Sequence, residues 1–146
     1  MYNKSEAAAI RKYFWTSYGK SFPRKWLLYN TKIKGFGFKF YADNQMALVT
    51  LDIEPKNQTK RELLYQQVKS LQQVTEKEYI SNIIFEENYV LETGKVISRI
   101  YVKSNQNFNI YDKNSWSTAF EFFNEKMTEF ELWFYEFEDY IKEANI

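Results

Sequence analysis

Residues 116–141 read WSTAFEFFNEKMTEFELWFYEFEDYI, and within them Trp116, Phe120, Phe123, Met127, Phe130, Phe134, Phe137 and Ile141 recur at alternating spacings of four and three. That interval matches the 3.6-residue period of an α-helix, so all eight side chains share one face. The helix predicted on this pattern runs from about residue 114 to 144 and is about 45 Å long at about 1.5 Å per residue. A domain of this size has a radius of gyration of only about 15 Å, so covering so long an aromatic face is the main problem the fold must solve. Two solutions are open. Either the helix lies diagonally over a sheet with both flanks buried, or one end packs against a second copy, with the off-line residues Phe122, Trp133 and Tyr140 as the homodimer interface. A two-stranded zipper is excluded, because its tight layers prefer Leu, Ile and Val to Phe and Trp.

The segments before this helix supply the sheet. A two-residue turn at Asn44 and Gln45 sets Phe40 opposite Val49, Phe38 opposite Leu51 and Phe36 opposite Ile53, which gives a hairpin with one apolar face. A second hairpin is predicted from residues 82–91 and 96–103, with Gly94 in its loop and Glu87 facing Arg99. The short apolar run of residues 26–29, WLLY, reads as another strand. Ser5 is the expected N-cap of a first helix whose Ala7, Ile10, Phe14 and Tyr18 share a face, with Gly19 as its stop. A second helix starts at Thr59, with Glu62 completing a capping box and Leu64, Val68, Leu71 and Val74 buried. The expected fold is α+β in a single domain over residues 1–146. Three helices pack on a mainly antiparallel sheet of about five strands, in the order α-β-β-β-α-β-β-α.

Several function classes close on composition. The 146 residues include no histidine and no cysteine, which removes imidazole general bases, thiol nucleophiles, His/Cys zinc sites and disulfides. Four glycines in all leave no phosphate-binding loop pattern. The short residue 7–10 run is too brief for a signal peptide or a membrane span, so a cytoplasmic protein without a membrane partner is expected. No cofactor and no small-molecule ligand is indicated by any motif.

Charge is unevenly placed. Residues 1–40 carry Lys4, Arg11, Lys12, Lys20, Arg24, Lys25, Lys32, Lys34 and Lys39 against Glu6 alone, whereas from residue 112 onward three lysines face nine acids. A basic end of this kind suits a nucleic-acid surface, with Lys20, Arg24, Lys25, Lys32 and Lys34 on phosphates and Trp15, Phe22 or Trp26 stacking on bases. The competing account is that the basic end neutralises the acidic helix within the fold or in a neighbouring subunit. Only four arginines are present, which weakens the nucleic-acid account because arginine forks best onto phosphates.

The alternative function is a magnesium-dependent nuclease with a restriction-endonuclease-like core. Glu54-Pro55-Lys56 fits a (D/E)-x-K element, with Asp43 as the second acid. The hairpin register opposes that pairing, since it puts Asp43 and Glu54 at opposite ends of the strand, roughly 30 Å apart at about 3.3 Å per residue. Asp52 and Glu54 are the better local pair, because they alternate onto one face.

Arg11 to Gly19 (RKYFWTSYG), Trp26 to Thr31 (WLLYNT), the strand LVTLDIE, Ser98-Arg99-Ile100 and the terminal helix opening at Trp116 resemble a bacterial family known as a domain of unknown function, number 4268. The resemblance spans nearly the whole chain and rests on core aromatics. It implies a domain found also C-terminal to nuclease-like or restriction-related regions, hence a DNA-related or defence-related accessory role, and it carries over no functional residues. The expected function is a non-catalytic binding or interaction domain.

Overall fold

The computed structural model describes residues 2–23 and 30–144. Chain order is α1 (Lys4–Ser21), β1 (Phe36–Ala42), β2 (Ala47–Ile53), α2 (Gln58–Lys69), α3 (Gln72–Val74), a π-turn (Thr75–Tyr79), β3 (Ile84–Val90), β4 (Val96–Lys103), a 3-10 turn (Lys113–Ser115) and α4 (Trp116–Lys142). The four strands form one antiparallel sheet in the order β1-β2-β4-β3. The expectation of five strands and three helices is corrected to four and four among the described residues. The extra helix is the three-residue α3, and the strand expected at residues 26–29 lies outside the described residues.

The first hairpin has the expected register, Phe36 with Ile53, Phe38 with Leu51 and Phe40 with Val49. Asp43 fixes its turn: the carboxylate accepts the backbone N–H groups of Gln45 and Met46 at 2.8 and 2.7 Å, an Asx geometry that holds two turn donors with one side chain. In the second hairpin Gly94 has φ +89°, as a tight loop requires. The register there is corrected. A bulge between Glu86 and Tyr89 shifts the ladder by one residue, so Glu86 rather than Glu87 faces Arg99. Arg61 of α2 holds the bulge, donating to the Glu87 carbonyl at 2.6 Å, the Ser98 hydroxyl at 2.8 Å and Asn88 Oδ1 at 3.3 Å.

Helix starts also differ from expectation. Asn3, not Ser5, caps α1 by accepting the Glu6 amide at 2.9 Å, and Asn57, not Thr59, caps α2 by accepting the Lys60 amide at 3.0 Å. In each case an asparagine lies two residues ahead of the hydroxyl, and the earlier acceptor captures the first turn. Gly19 does not stop α1, which continues to Ser21.

The long helix covers its aromatic face by spanning three supports in turn. Near its start Trp116, Phe120 and Phe123 meet Phe14 of α1 at ring separations of 5.1, 5.1 and 6.2 Å. Along its middle Phe130 and Phe134 lie 5.5 and 5.6 Å from Phe38 of β1. Towards its end Phe137 packs on Tyr79 of the π-turn at 5.5 Å. Seven of the eight residues of the predicted line are buried and Phe137 is half-buried. With about 40 Å of length over 27 residues, α4 ties the whole core together. No helix among the described residues is long and apolar enough to cross a membrane.

Candidate functional site

The sheet has one face in the core and one that no helix covers among the described residues. On the latter, Asp52 lies across β2 from Gly37 and Arg99, and its carboxylate takes a bidentate pair of hydrogen bonds from Arg99 at 2.8 and 2.9 Å. Both are nearly buried, at 2% and 6% exposure. Lys39 reaches Asp52 at 3.5 Å and Glu54 at 2.9 Å, and Lys95 reaches Glu54 at 3.2 Å. Burial works to raise the Glu54 carboxyl, but the hydrogen bonds and charge of Lys39 and Lys95 outweigh it and leave the group below its usual value.

These contacts decide what the carboxylates can do. Asp52 and Glu54 do share a face, as their alternation requires, yet each already has cationic partners. Asp43 stands at the other end of β2, holding its own turn and accepting the Tyr41 hydroxyl at 2.9 Å. The seven residues of β2 lie between Asp43 and Glu54, about 23 Å at 3.3 Å per residue. No group of three or more acids placed to hold a metal ion occurs among the described residues. A cleft of about 540 Å³ opens on this side between Tyr41, Asp43, Tyr89, Glu92 and Arg99. Burial first, then Asp43, push the Tyr41 phenol up to about 12. The Arg99 charge is matched by Asp52, so Asp43 and Glu92 leave this cleft hostile to phosphate.

The basic residues of the first quarter are different in kind. Lys20, Lys32 and Lys34 are exposed, while Arg24 and Lys25 lie outside the described residues. The loop that presents Lys32 and Lys34 is rigidly built. The buried Thr31 hydroxyl donates to the Phe36 carbonyl at 2.6 Å, and its oxygen accepts the Ile33 amide at 3.2 Å. Asn30 accepts the Lys32 amide at 3.0 Å, and Lys32 itself has φ +63°. The Gly35 carbonyl accepts the Glu54 amide at 2.6 Å, which pins the loop to the end of β2.

Of the aromatics expected to stack on bases, Trp15 lies half-buried against Phe123 at 5.5 Å, Phe22 packs on Tyr18 at 5.6 Å, and Trp26 is outside the described residues. The exposed rings are tyrosines that the sequence reading passed over. Tyr13 is 52% exposed, accepts a hydrogen bond from Lys113 at 3.3 Å and lies under its ammonium at 5.1 Å from the ring centroid. The Lys113 hydrogen bond, then its charge, lower the Tyr13 phenol. Arg11 donates to the Tyr111 hydroxyl at 3.0 Å, and Tyr111 meets the half-exposed Tyr2 at 5.7 Å. The available signal was position: Tyr13 lies off the line of Ala7, Ile10, Phe14 and Tyr18, of which Phe14 and Tyr18 are buried.

The three residues expected at a homodimer interface part company. Trp133 is 1% exposed and donates its indole N–H to the Thr75 hydroxyl at 2.8 Å, so it belongs to the core and is withdrawn from any interface. The π-turn is what aims Thr75 at that indole. Phe122 is half-buried beside Phe123. Tyr140 is 38% exposed, its hydroxyl 2.6 Å from that of Ser70, and its carbonyl accepts from Gln67 at 2.7 Å. These two contacts fasten α4 to α2 within one chain.

The family model described as Domain of unknown function (DUF4268) matches residues 10–138. No curated protein and no solved structure matches the chain.

Proposed function

Because the chain belongs to the DUF4268 family, whose description assigns no chemistry, its surface must supply the function, and we propose a non-catalytic binding module that takes nucleic acid on the cations of α1 and of the loop before β1. The carrying observation is the number of exposed first-quarter cations that no acid neutralises, although Lys56, Lys77 and Lys103 are likewise exposed and without an ion pair among the described residues. Lys39, Lys95, Arg99, Lys126 and Lys142 each pair with a carboxylate at 4 Å or less. None of Lys4, Arg11, Lys12, Lys20, Lys32 and Lys34 forms an ion pair among the described residues, and all six are exposed. Internal neutralisation by the acidic helix therefore does not account for them. Unpaired exposed cations on rigid supports are what an anionic polymer needs, because each phosphate contact releases a bound counterion. A cytoplasmic accessory role in DNA-related or defence-related processes is consistent with such a module.

Fluorescence anisotropy with labelled DNA and RNA, at about 50 and 200 mM salt, tests the reading. Saturable binding that weakens steeply with salt is expected, and replacing Lys20, Lys32 and Lys34 together by alanine should flatten the salt slope by about 0.7 to 0.9 for each phosphate no longer neutralised. Absence of binding at the lower salt refutes it. The nuclease alternative has less support, since Glu54 is engaged by two lysines; magnesium-dependent cleavage that disappears in Glu54→Ala would reinstate it.

A further inference from the structure

Granted the reading above, the two flanks of α1 bear on which form of nucleic acid would bind. On one flank the Tyr13 ring meets Trp116 edge-on at 5.4 Å while remaining 52% exposed. Lys113 sits over that ring, and Lys20, two helical turns on, shares its flank. On the other flank Arg11 holds Tyr111, which supports the half-exposed ring of Tyr2. Tyrosine ordinarily sends its ring inward and its hydroxyl to water. In α1, Phe14 and Tyr18 take the core, while the rings of Tyr13 and Tyr2 stay about half exposed at its edge.

The base faces of a duplex are stacked on one another and closed to surface rings, so there a tyrosine can offer only its hydroxyl to a phosphate. A single strand has free base faces, and stacking them on aromatic rings stabilises binding regardless of sequence. We infer that this surface selects single-stranded nucleic acid, with bases stacked on Tyr13 and on the Tyr2–Tyr111 pair and phosphates held by Arg11, Lys20 and Lys113. Two acids bound the surface. Glu6 lies two turns before Tyr13 on the same flank and Asp112 adjoins Lys113, so the phosphates run towards the Lys20 end.

The test compares the full chain binding a labelled oligothymidylate of about 20 nucleotides with a duplex of equal length, at one salt concentration. The strand is expected to bind at least about tenfold tighter. Tyr13→Ala and Tyr2→Ala should each weaken strand binding about tenfold with the salt slope unchanged, and Tyr13→Phe should bind like wild type. Lys113→Ala should instead reduce the slope by about 0.7. Circular dichroism confirms that each variant is folded, and Tyr2→Ala, outside α1, guards against a misfolded Tyr13→Ala. Equal affinity for strand and duplex, or wild-type binding by both alanine variants, overturns the inference while leaving nucleic-acid binding intact. Failure to bind either overturns both.

Discussion

Asp52 and Arg99 illustrate how a charged pair can sit nearly out of water on a sheet face that no described helix covers. Taking both ions out of water is costly, and only the bidentate geometry, with Lys39 alongside, offsets it. Asp52→Ala is therefore expected to destabilise the protein by about 3–5 kcal/mol, measured by urea unfolding, because Arg99 would be left buried and unpaired. The double variant Asp52→Leu, Arg99→Met should lose less than either single one. Glu54 adds a pH dependence. Its folded carboxyl titrates below the ordinary value of 4.5, so its contribution is whole above that value and is lost as pH falls through the lowered one. Thermal melts of Glu54→Gln should accordingly show a shallower loss of stability below pH 4.5 than wild type. Of these partners, the alternation already puts Lys39, Asp52 and Glu54 on one face, and the second hairpin sets a carboxylate across from Arg99, expected as Glu87 and found as Glu86. The sequence reading misassigned that carboxylate because a bulge has no residue signature of its own here.

Elements with a strong period were legible, and those decided by a single contact were not. The 36/38/40 alternation fixed both face and register of the first hairpin, and the four-three repeat fixed the buried face of α4. Helix starts were missed because a hydroxyl and an asparagine two residues apart compete for the same turn, and sequence alone does not rank them. The bulge and the π-turn escaped for a related reason: each answers a distant partner, Arg61 in one case and Trp133 in the other. The loop before β1 makes its own demand at Gly35, which has φ +72° and lies so near Pro55 that a Cβ would fall 2.5 Å from its backbone. Gly35→Ala should lower stability by about 1–3 kcal/mol from the dihedral alone, with the clash adding to it. A thermal melt that leaves Tm unchanged would show that the loop can move away from β2.

Across the molecule, charge and aromatic content divide between two surfaces with opposite habits. On the sheet face that no described helix covers, Lys39, Lys95 and Arg99 are matched by Asp52 and Glu54, whereas the cations of α1 have no acid partner among the described residues. Composition revealed the imbalance along the chain but not this division, since which lysine meets which carboxylate depends on β2 lying between β1 and β4. The cover that so long an aromatic helix needs comes from within one chain, where α1, the sheet and the π-turn take successive stretches of it. That arrangement has a price in the order of synthesis. Both hairpins leave the ribosome before α4 does, so a nascent chain stopped short of residue 116 presents Phe36, Phe38, Leu51 and Ile100 to solvent with their principal cover still unmade. Until the helix emerges, the half-built sheet is the species most prone to misassociate, and a chaperone that recognises extended apolar strands would find its binding site there.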